Sequence, residues 1–210
     1  RPGDGQLPQR VLLAYRIAKL LVETGALPEG SFQFVGGSVG DLVEHLGEQD
    51  CLAFTGSADT AVKLRSAKSV VTRSVRVNVE ADSLNSAVLA PGVGPGDDAF
   101  RAFVRDVAKE MTQKTGQKCT ATRRIFVPKE RLDDAQAALT EALAEIKVGS
   151  PALEEVRMGP LATKQQLDDF RSGVQKLVAA GARVVFGSAT EVNAIGVPAK
   201  KGYFAAPMLL

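Results

Sequence analysis

The chain has 210 residues, and 26 Lys and Arg residues against 24 Asp and Glu residues give a formal net charge of +2. An apolar fraction of 45% can form a core, which excludes a disordered chain, and the near-neutral charge with one histidine gives no electrostatic footprint for nucleic acid or an anionic membrane. Apolar runs such as 184–186 are too short to span a bilayer, and two cysteines, Cys51 and Cys119, make no disulfide framework, so we expect a reducing cytoplasm.

Helical and strand-like periods alternate along the chain, which predicts an α/β layered fold. The first part is predicted to contain helices over 11–24, 41–46 and 58–67 and strands over 31–35, 51–54 and 70–79. The apolar strand 51–54 suits a parallel sheet that is buried on both faces, so we interpret Cys51 as a core residue.

A loop dense in proline and glycine, over 91–96, interrupts the second part of the chain. The strands predicted there are 86–89, 124–127 and 182–186. An amphipathic helix is predicted to begin with Asp97 or Asp98 as its cap and to end at Gly116. Two more helices are predicted, one from Pro128 to Ile146 and one from a capping box at Thr163 to Val178.

Cys119 lies in the segment Gly-Gln-Lys-Cys-Thr-Ala, between a helix end and a strand start. A constrained turn of this kind is where nucleophiles are usually presented, and the neighbouring Lys118 would favour the reactive thiolate if its ammonium reached the sulfur. The alternative is that Cys119 is a small buried hydrophobic residue, and spacing alone does not decide between the two.

A second polar turn, Thr55-Gly56-Ser57, follows the apolar strand and opens a helix. Backbone N–H groups and the helix dipole favour a phosphate at such a position, although a routine helix N-cap would have the same sequence.

The other polar residues are interpreted as structural. His45 has no Cys or carboxylate partners at metal-ligand spacing, so no metal site is predicted. Asp82 is expected to be a cap or loop residue, and Arg123 with Arg124 a solvent-facing pair at a strand end, although the pair could also meet an anionic substrate.

Five segments in register resemble the aldehyde dehydrogenase superfamily, and the resemblance covers about residues 11–210. They are residues 23–30, residues 54–57, Glu80 at a strand end, residues 116–121 and residues 158–161. The string Glu-Ala-Asp-Ser-Leu-Asn over 80–85 is most similar to the aldehyde dehydrogenase domains of bifunctional ring-opening enzymes of bacterial phenylacetate degradation. The resemblance implies an α/β aldehyde dehydrogenase-like fold, with 1–82 as the second half of a Rossmann-type nucleotide-binding domain and 83–210 as the catalytic domain.

The resemblance also implies the chemistry. Cys119 attacks the aldehyde as a thiolate and becomes a thioester, and Glu80 acts as the general base that activates the hydrolytic water. Burial at a strand end would suit Glu80 to that role, and the alternative is a surface carboxylate at a strand end. Thr55, Gly56 and Ser57 approach the pyrophosphate of NADP or NAD, with Ala61 where the family often has a second glycine. Gly36 and Gly37 are candidates for the adenine side, or a simple turn.

The substrate implied is an aldehyde, possibly linked to CoA, and the full-length protein is expected to form a homo-oligomer. Several family motifs are missing, including the upstream Pro-Trp-Asn and the downstream Glu-x-Phe-Gly-Pro elements. We therefore expect an internal piece of a longer protein with little turnover of its own. Two alternatives stay open: a CoA-acylating dehydrogenase, which needs no water-activating carboxylate, and a non-catalytic scaffold module of the same fold.

Overall fold

The computed structural model describes residues 9–198 and 201–210. The chain forms two compact units, the first ending at Asp82 and the second beginning at Ser83. The α/β class predicted from the alternating pattern is confirmed. The nucleotide-binding and catalytic roles of the two parts stay predictions. In the described part of the chain, no helix has both the length and the apolar character that a membrane span requires.

The first unit pairs two parallel strands with short helices. Its elements in chain order are α1 (Gln9–Glu23), a 3₁₀ helix (Leu42–His45), β1 (Cys51–Gly56), α2 (Ala58–Arg65), α3 (Lys68–Thr72) and β2 (Arg76–Ala81). In the register of β1 and β2, Thr55 lies opposite Glu80 and Gly56 lies opposite Ala81. Because the strands are parallel, both carboxyl ends meet at one edge of the sheet.

The prediction of one long strand over 70–79 is wrong, because its first half is α3. The Ser69 hydroxyl of α3 donates to the Val43 carbonyl at 2.8 Å, and the Arg73 guanidinium donates to the carbonyls of Glu44 and Leu46. These contacts fix the segment against the 3₁₀ helix. Ser74 then takes a positive φ of 53°, which separates α3 from β2.

Two further predictions for this unit fail because a strand needs neighbours. Residues 31–35 do not form a strand; they have no hydrogen-bonded partner strand among the described residues. Strand β1 is not buried on both faces: Leu52 and Phe54 are half-buried, and Cys51 is exposed rather than in the core. Its sheet has two strands in the described part of the chain, so neither face is fully covered.

The second unit contains the larger core. Its elements are β3 (Asn85–Val88), α4 (Asp98–Thr112), a 3₁₀ helix (Gln113–Gly116), β4 (Thr122–Phe126), a 3₁₀ helix (Lys129–Arg131), α5 (Leu132–Ala144) and α6 (Lys164–Ala179). Three clusters of buried residues hold it together: Leu89, Phe100 and Ala135; Val148, Met158 and Phe204; and Leu161, Leu167 and Ala205.

Strands β3 and β4 are parallel, and β4 contains a bulge. Asn85 pairs with Thr122, but the next residue, Ser86, pairs with Arg124, so Arg123 is an extra residue in β4. The bulge lies at the start of both strands, directly after the turn that carries Cys119.

The predicted helices of this unit are confirmed, with α4 ending at Thr112 and a short 3₁₀ helix continuing to Gly116. The capping box that begins α6 is present: the Thr163 hydroxyl accepts the Gln166 N–H, and the Gln166 side chain accepts the Thr163 N–H. The predicted strand over 182–186 is wrong. Only Phe186 makes a bridge, to Leu209, so the segment lacks the repeated pairing of a ladder.

Candidate active site

Four of the predicted site residues of the first unit, Thr55, Gly56, Ser57 and Glu80, lie at the carboxyl ends of β1 and β2. Glu80 lies beside Thr55 in the strand register, and Ser57 follows as the N-cap of α2, its hydroxyl accepting the Thr60 N–H at 3.3 Å. Thr55, Ser57 and Glu80 are all exposed. The expectation that Glu80 is desolvated at a buried strand end is therefore wrong for this structure, because nothing in the described part of the unit covers that end.

Asp82 connects the end of β2 to the start of α2. Its backbone takes a positive φ of 49°, its N–H donates to the Gly56 carbonyl at 3.2 Å, and its carboxylate accepts the Ala58 N–H at 3.2 Å. This confirms the interpretation of Asp82 as a cap. The carboxylate also occupies one of the N–H groups that a bound anion would use at this helix N-terminus.

The glycines predicted near the cofactor lie in two segments. A Cβ on Gly56 would overlap the Phe54 ring, so packing requires a glycine there. Gly36 lies in the segment after Phe34, where a Cβ would approach that ring at 3.4 Å and the Val11 side chain at 3.7 Å. Gly37 has a φ of 129°, a conformation that favours glycine.

In the second unit, Cys119 lies on the turn between the 3₁₀ helix and β4, and its side chain is exposed. The Ala121 N–H donates to the Lys118 carbonyl at 3.2 Å and closes the turn, and Ala121 itself is completely buried. The reading of Cys119 as a small core residue is therefore wrong. The exposed thiol lies on a turn that Ala121, two residues further on, anchors in the core.

The Lys118 side chain binds α4. Its ammonium lies 2.5 Å from a Glu110 carboxylate oxygen and 2.7 Å from the Gln113 side-chain oxygen. The side chain is 13% exposed, so this ion pair is sheltered from solvent. Among the residues described, these partners give Lys118 an anchoring role, and its predicted role as a thiolate partner has no contact to support it.

Gln117 ties the same turn to the segment that precedes α6. Its amide oxygen accepts the Ala162 N–H at 2.9 Å, and its amide nitrogen donates to the carbonyls of Lys114 and Pro160. The Thr115 hydroxyl makes a parallel contact, donating to the Gly159 carbonyl at 3.0 Å. Two of the family-like segments, 116–121 and 158–161, are thus one structural feature.

Backbone strain marks the approach to Cys119. Lys114 and Thr115 have left-handed φ values of 54° and 58°, and Gly116 follows at 68°. Such values cost free energy in residues other than glycine and persist where the surroundings hold them. Here the Arg123 guanidinium, carried on the bulge, donates to the Gly116 carbonyl at 2.8 Å.

Asn85, which is not among the predicted site residues, also contacts the Cys119 turn. Its amide nitrogen donates to the Cys119 carbonyl at 2.5 Å and to the Ala121 carbonyl at 3.3 Å. A polar amide at the start of an apolar strand was the available signal. Arg123 and Arg124 are exposed as expected, and they also brace the backbone: Arg124 donates to the Leu84 carbonyl at 3.2 Å.

A cavity of about 530 Å³ adjoins this turn within the second unit. Its lining includes Gly116, Gln117 and Arg123 on one side and Phe170 of α6 on the other. The size lies in the range of small-molecule sites. A wider groove of about 890 Å³ runs between α4 and α5.

The other titratable residues that the structure describes make isolated contacts. His45 is exposed and lies 3.5 Å from the Asp41 carboxylate, and no group of three metal-ligand side chains occurs within the described residues. On α4, a hydrogen bond from Arg105 lowers the pKa of Asp106, and the same bond raises the pKa of Arg105.

Comparison with known proteins gives a consistent result. The aldehyde dehydrogenase family profile matches residues 8–210. The chain is 44% identical to 3,4-dehydroadipyl-CoA semialdehyde dehydrogenase of Aromatoleum evansii, over 94% of this chain and 38% of that protein. Among solved structures, it is similar to a cysteine-to-alanine mutant of aldehyde dehydrogenase C from Pseudomonas syringae in complex with NAD+ and octanal, at 26% identity, a TM-score of 0.79, and coverage of 93% of this chain and 38% of that one.

A second solved structure, lactaldehyde dehydrogenase from Escherichia coli, matches with 26% identity and a TM-score of 0.77, over 93% of this chain and 39% of that one. The chain therefore spans less than two fifths of the length of these relatives. With the profile matched along nearly all of its residues, the chain belongs to the aldehyde dehydrogenase family.

Proposed function

We propose that the complete protein containing this chain oxidises an aldehyde to a carboxylic acid, with NADP or NAD as the hydride acceptor. The observation that carries the proposal is the exposed Cys119 thiol on a turn anchored by Lys118, Gln117 and Asn85. A nucleophile needs an accessible thiol on a well-held backbone, and the exposure of Cys119 together with these three side-chain anchors supports that role. Membership of the family supports the same chemistry.

In the proposed reaction, Cys119 Sγ attacks the aldehyde carbon and forms a carbon–sulfur bond, giving a tetrahedral thiohemiacetal. The Cys119 backbone N–H is the proposed donor to the developing oxyanion. The nicotinamide cofactor, when bound, supplies the hydride acceptor that lets this adduct become a thioester. Water then attacks the thioester carbon, and the carbon–sulfur bond breaks to release the acid and return the thiolate.

Glu80 is the proposed general base of the hydrolytic step. It accepts a proton from the attacking water, so the hydroxide equivalent forms as the carbon–oxygen bond is made. Its exposed carboxylate stands at the carboxyl edge of the parallel strands, beside Thr55. That edge is where ligands bind in open α/β sheets, which supports a functional position for Glu80.

The residues at this edge fit a dinucleotide phosphate by their chemistry. Exposed hydroxyls of Thr55 and Ser57 flank Gly56, which is itself exposed although the Phe54 ring lies on its Cβ side. Because Asp82 takes the Ala58 N–H, we propose that the two hydroxyls and the backbone of Gly56 hold the pyrophosphate. Gly36 is the proposed contact on the adenine side.

The substrate class we propose is a CoA-linked semialdehyde. The support is the 44% identity to a protein named for a CoA semialdehyde, together with the resemblance of residues 80–85 to the phenylacetate-degradation domains. We also propose that the complete protein is a homo-oligomer and that it is cytoplasmic. The cytoplasmic location agrees with Cys51 and Cys119, which are both free thiols.

The test is a Glu80→Gln variant of the complete protein, assayed by the absorbance of reduced cofactor. Without the base, thioester hydrolysis stalls, so we expect one stoichiometric burst and then a steady rate lower by about 10²-fold or more. Glu48→Gln, an exposed carboxylate in a loop, is the matched control and should keep the wild-type rate.

Unimpaired steady turnover of Glu80→Gln would overturn the role given to Glu80. If wild-type protein forms acyl-CoA only when free CoA is added, the CoA-acylating alternative is correct instead. If no aldehyde reduces either cofactor and the Cys119 thiol resists iodoacetamide in folded protein, the scaffold alternative is correct.

A further inference from the structure

The Asn85 side chain binds the backbone of the Cys119 turn, in addition to the backbone pairing that its place in β3 gives it. Its side chain is half-buried at the first residue of β3, where the backbone pairs with Thr122. The amide nitrogen donates to the Cys119 carbonyl at 2.5 Å and to the Ala121 carbonyl at 3.3 Å. The Ser83 hydroxyl is a third, longer acceptor at 3.4 Å, so both carbonyls of the turn lie closer to the amide nitrogen than its local partner does.

These two carbonyls lie on either side of Thr120. Rotating the backbone at Cys119 or Thr120 would break at least one of the two bonds. Ala121 is completely buried, so the second carbonyl belongs to a residue that the core packs on all sides. The Asn85 amide consequently links the Cys119 peptide to a fixed point of the core while the thiol remains exposed.

No other titratable or amide side chain described in this unit reaches the Cys119 carbonyl. Lys118 and Gln117 hold the residues before it, through Glu110 and through Ala162. Asn85 acts on the cysteine itself and on the residues after it. Loss of the Asn85 amide would remove the side-chain bond to the Cys119 peptide, and only the Ala121 N–H bond and the pairing of β3 with β4 would hold the residues after it.

We propose that Asn85 is a positioning residue for the Cys119 nucleophile, holding the cysteine peptide so that its thiol meets the aldehyde at the productive angle. The proposal rests on the proposed function, since it presumes that Cys119 is the nucleophile. Small displacements of a reacting group cost large factors in rate, because alignment supplies much of the acceleration.

The experiment compares Asn85→Asp and Asn85→Ala in the complete protein with wild type. Aspartate keeps the shape of asparagine but, when ionised, donates no hydrogen bond and repels both carbonyls. We expect kcat to fall by about 10- to 100-fold in both variants, with the KM for cofactor changed by less than about twofold. The rate of Cys119 alkylation by iodoacetamide at fixed pH should change by about threefold or more, because the thiol is no longer held in one orientation.

Ser86→Ala, the neighbouring residue of the same strand, is the control and should match wild type in all three measurements. If the role of Asn85 is purely structural, its variants will have a lower unfolding temperature, while kcat and the alkylation rate of the folded protein stay unchanged. That result would overturn the proposal. The alanine variant decides the matter if the aspartate variant does not fold.

Cys119→Ser separates this proposal from the proposed function. If Cys119→Ser abolishes turnover while both Asn85 variants keep the wild-type kcat, the positioning role is wrong and the proposed function stands. If Cys119→Ser keeps full turnover, the proposed function is wrong, and the role of Asn85 falls with it.

Discussion

The two groups of candidate residues differ in what holds them in place. The Cys119 turn is anchored through Lys118 to α4, through Gln117 to the segment before α6, and through Asn85 to β3. At the edge of β1 and β2, by contrast, the Ser57 hydroxyl binds only within its own helix turn. The turn of the proposed nucleophile is thus held by side chains of this chain, while the proposed cofactor end is open.

Burial follows the same division. Apolar residues of α1 such as Leu13, Ile17 and Leu20 are more than half exposed, at 61%, 53% and 61%. Leu139 and Leu143 of α5 are 2% and 1% exposed. Apolar exposure on this scale means that the first unit has less of its own core than the second. The core of the second unit can therefore hold the Cys119 thiol in position without the first unit.

The most severe way to test the comparison is to remove each exposed thiol in turn. Cys119→Ser should lower kcat by about 10³-fold or more, since the hydroxyl is a far weaker nucleophile at neutral pH. Cys51→Ser, in the open unit, should keep activity within about twofold. Steady-state kinetics on both variants provides the measurement. Equal losses would contradict the assignment of the nucleophile to the anchored turn.

Gly116→Ala tests the strain before Cys119. Gly116 has a φ of 68°, and a Cβ there would approach the Met111 carbonyl oxygen at 3.2 Å. We expect a loss of about 1–3 kcal/mol in the free energy of unfolding, measured with urea, and a fall in kcat. Gly173→Ala in α6 has open space around its Cβ and should gain up to about 1 kcal/mol. A neutral result at Gly116 would show that the turn relaxes freely.

Thr163→Ala removes the capping box that begins α6. The expected cost is about 1 kcal/mol in unfolding free energy, because the Gln166 N–H loses its partner. Gln117 binds Ala162 one residue earlier, so we also expect a small loss of kcat. Thr163→Ser keeps the hydroxyl and should restore both quantities. A stability loss with unchanged kcat would show that the helix start does not reach the cysteine turn.

Ser57→Ala gives the smallest expected effect and tests the open end. Loss of one hydrogen-bond donor should raise the KM for cofactor by about two- to tenfold with kcat nearly unchanged. Ser57→Thr retains a hydroxyl and serves as the control. Titration of reduced cofactor by its fluorescence measures the affinity directly. An unchanged affinity in Ser57→Ala would remove Ser57 from the proposed phosphate contact.

Local patterns predicted the features whose causes are local. The apolar spacing of α4 and the capping box at Thr163 lie within a few residues of chain, and both appear as expected. Strands over 31–35 and 182–186 failed because a strand depends on a partner elsewhere in the sequence, which no local pattern reports.

The site shows the same limit. The resemblance to the family selected Cys119 and Glu80 as candidates. The direction of the Lys118 side chain, however, depends on its ion pair with Glu110 of α4. Asn85 and Cys119 are separated by 34 residues, so their contact exists only in the folded chain. Residue type and spacing cannot reveal such a pair.

The bulge in β4 determines how this strand responds to the substitution or deletion of a residue. Because Arg123 is an extra residue between Thr122 and Arg124, neighbouring arginines reach opposite ways, one to the Gly116 carbonyl and the other to the Leu84 carbonyl. Replacing either side chain removes one brace and leaves the register intact. Deleting Arg123 itself would remove the bulge and leave the pairs Asn85–Thr122 and Ser86–Arg124 in place. Deleting a residue after the bulge would instead shift the rest of the strand by one position and turn its side chains to the other face. The bulge is therefore the one position of β4 where the register tolerates the loss of a residue.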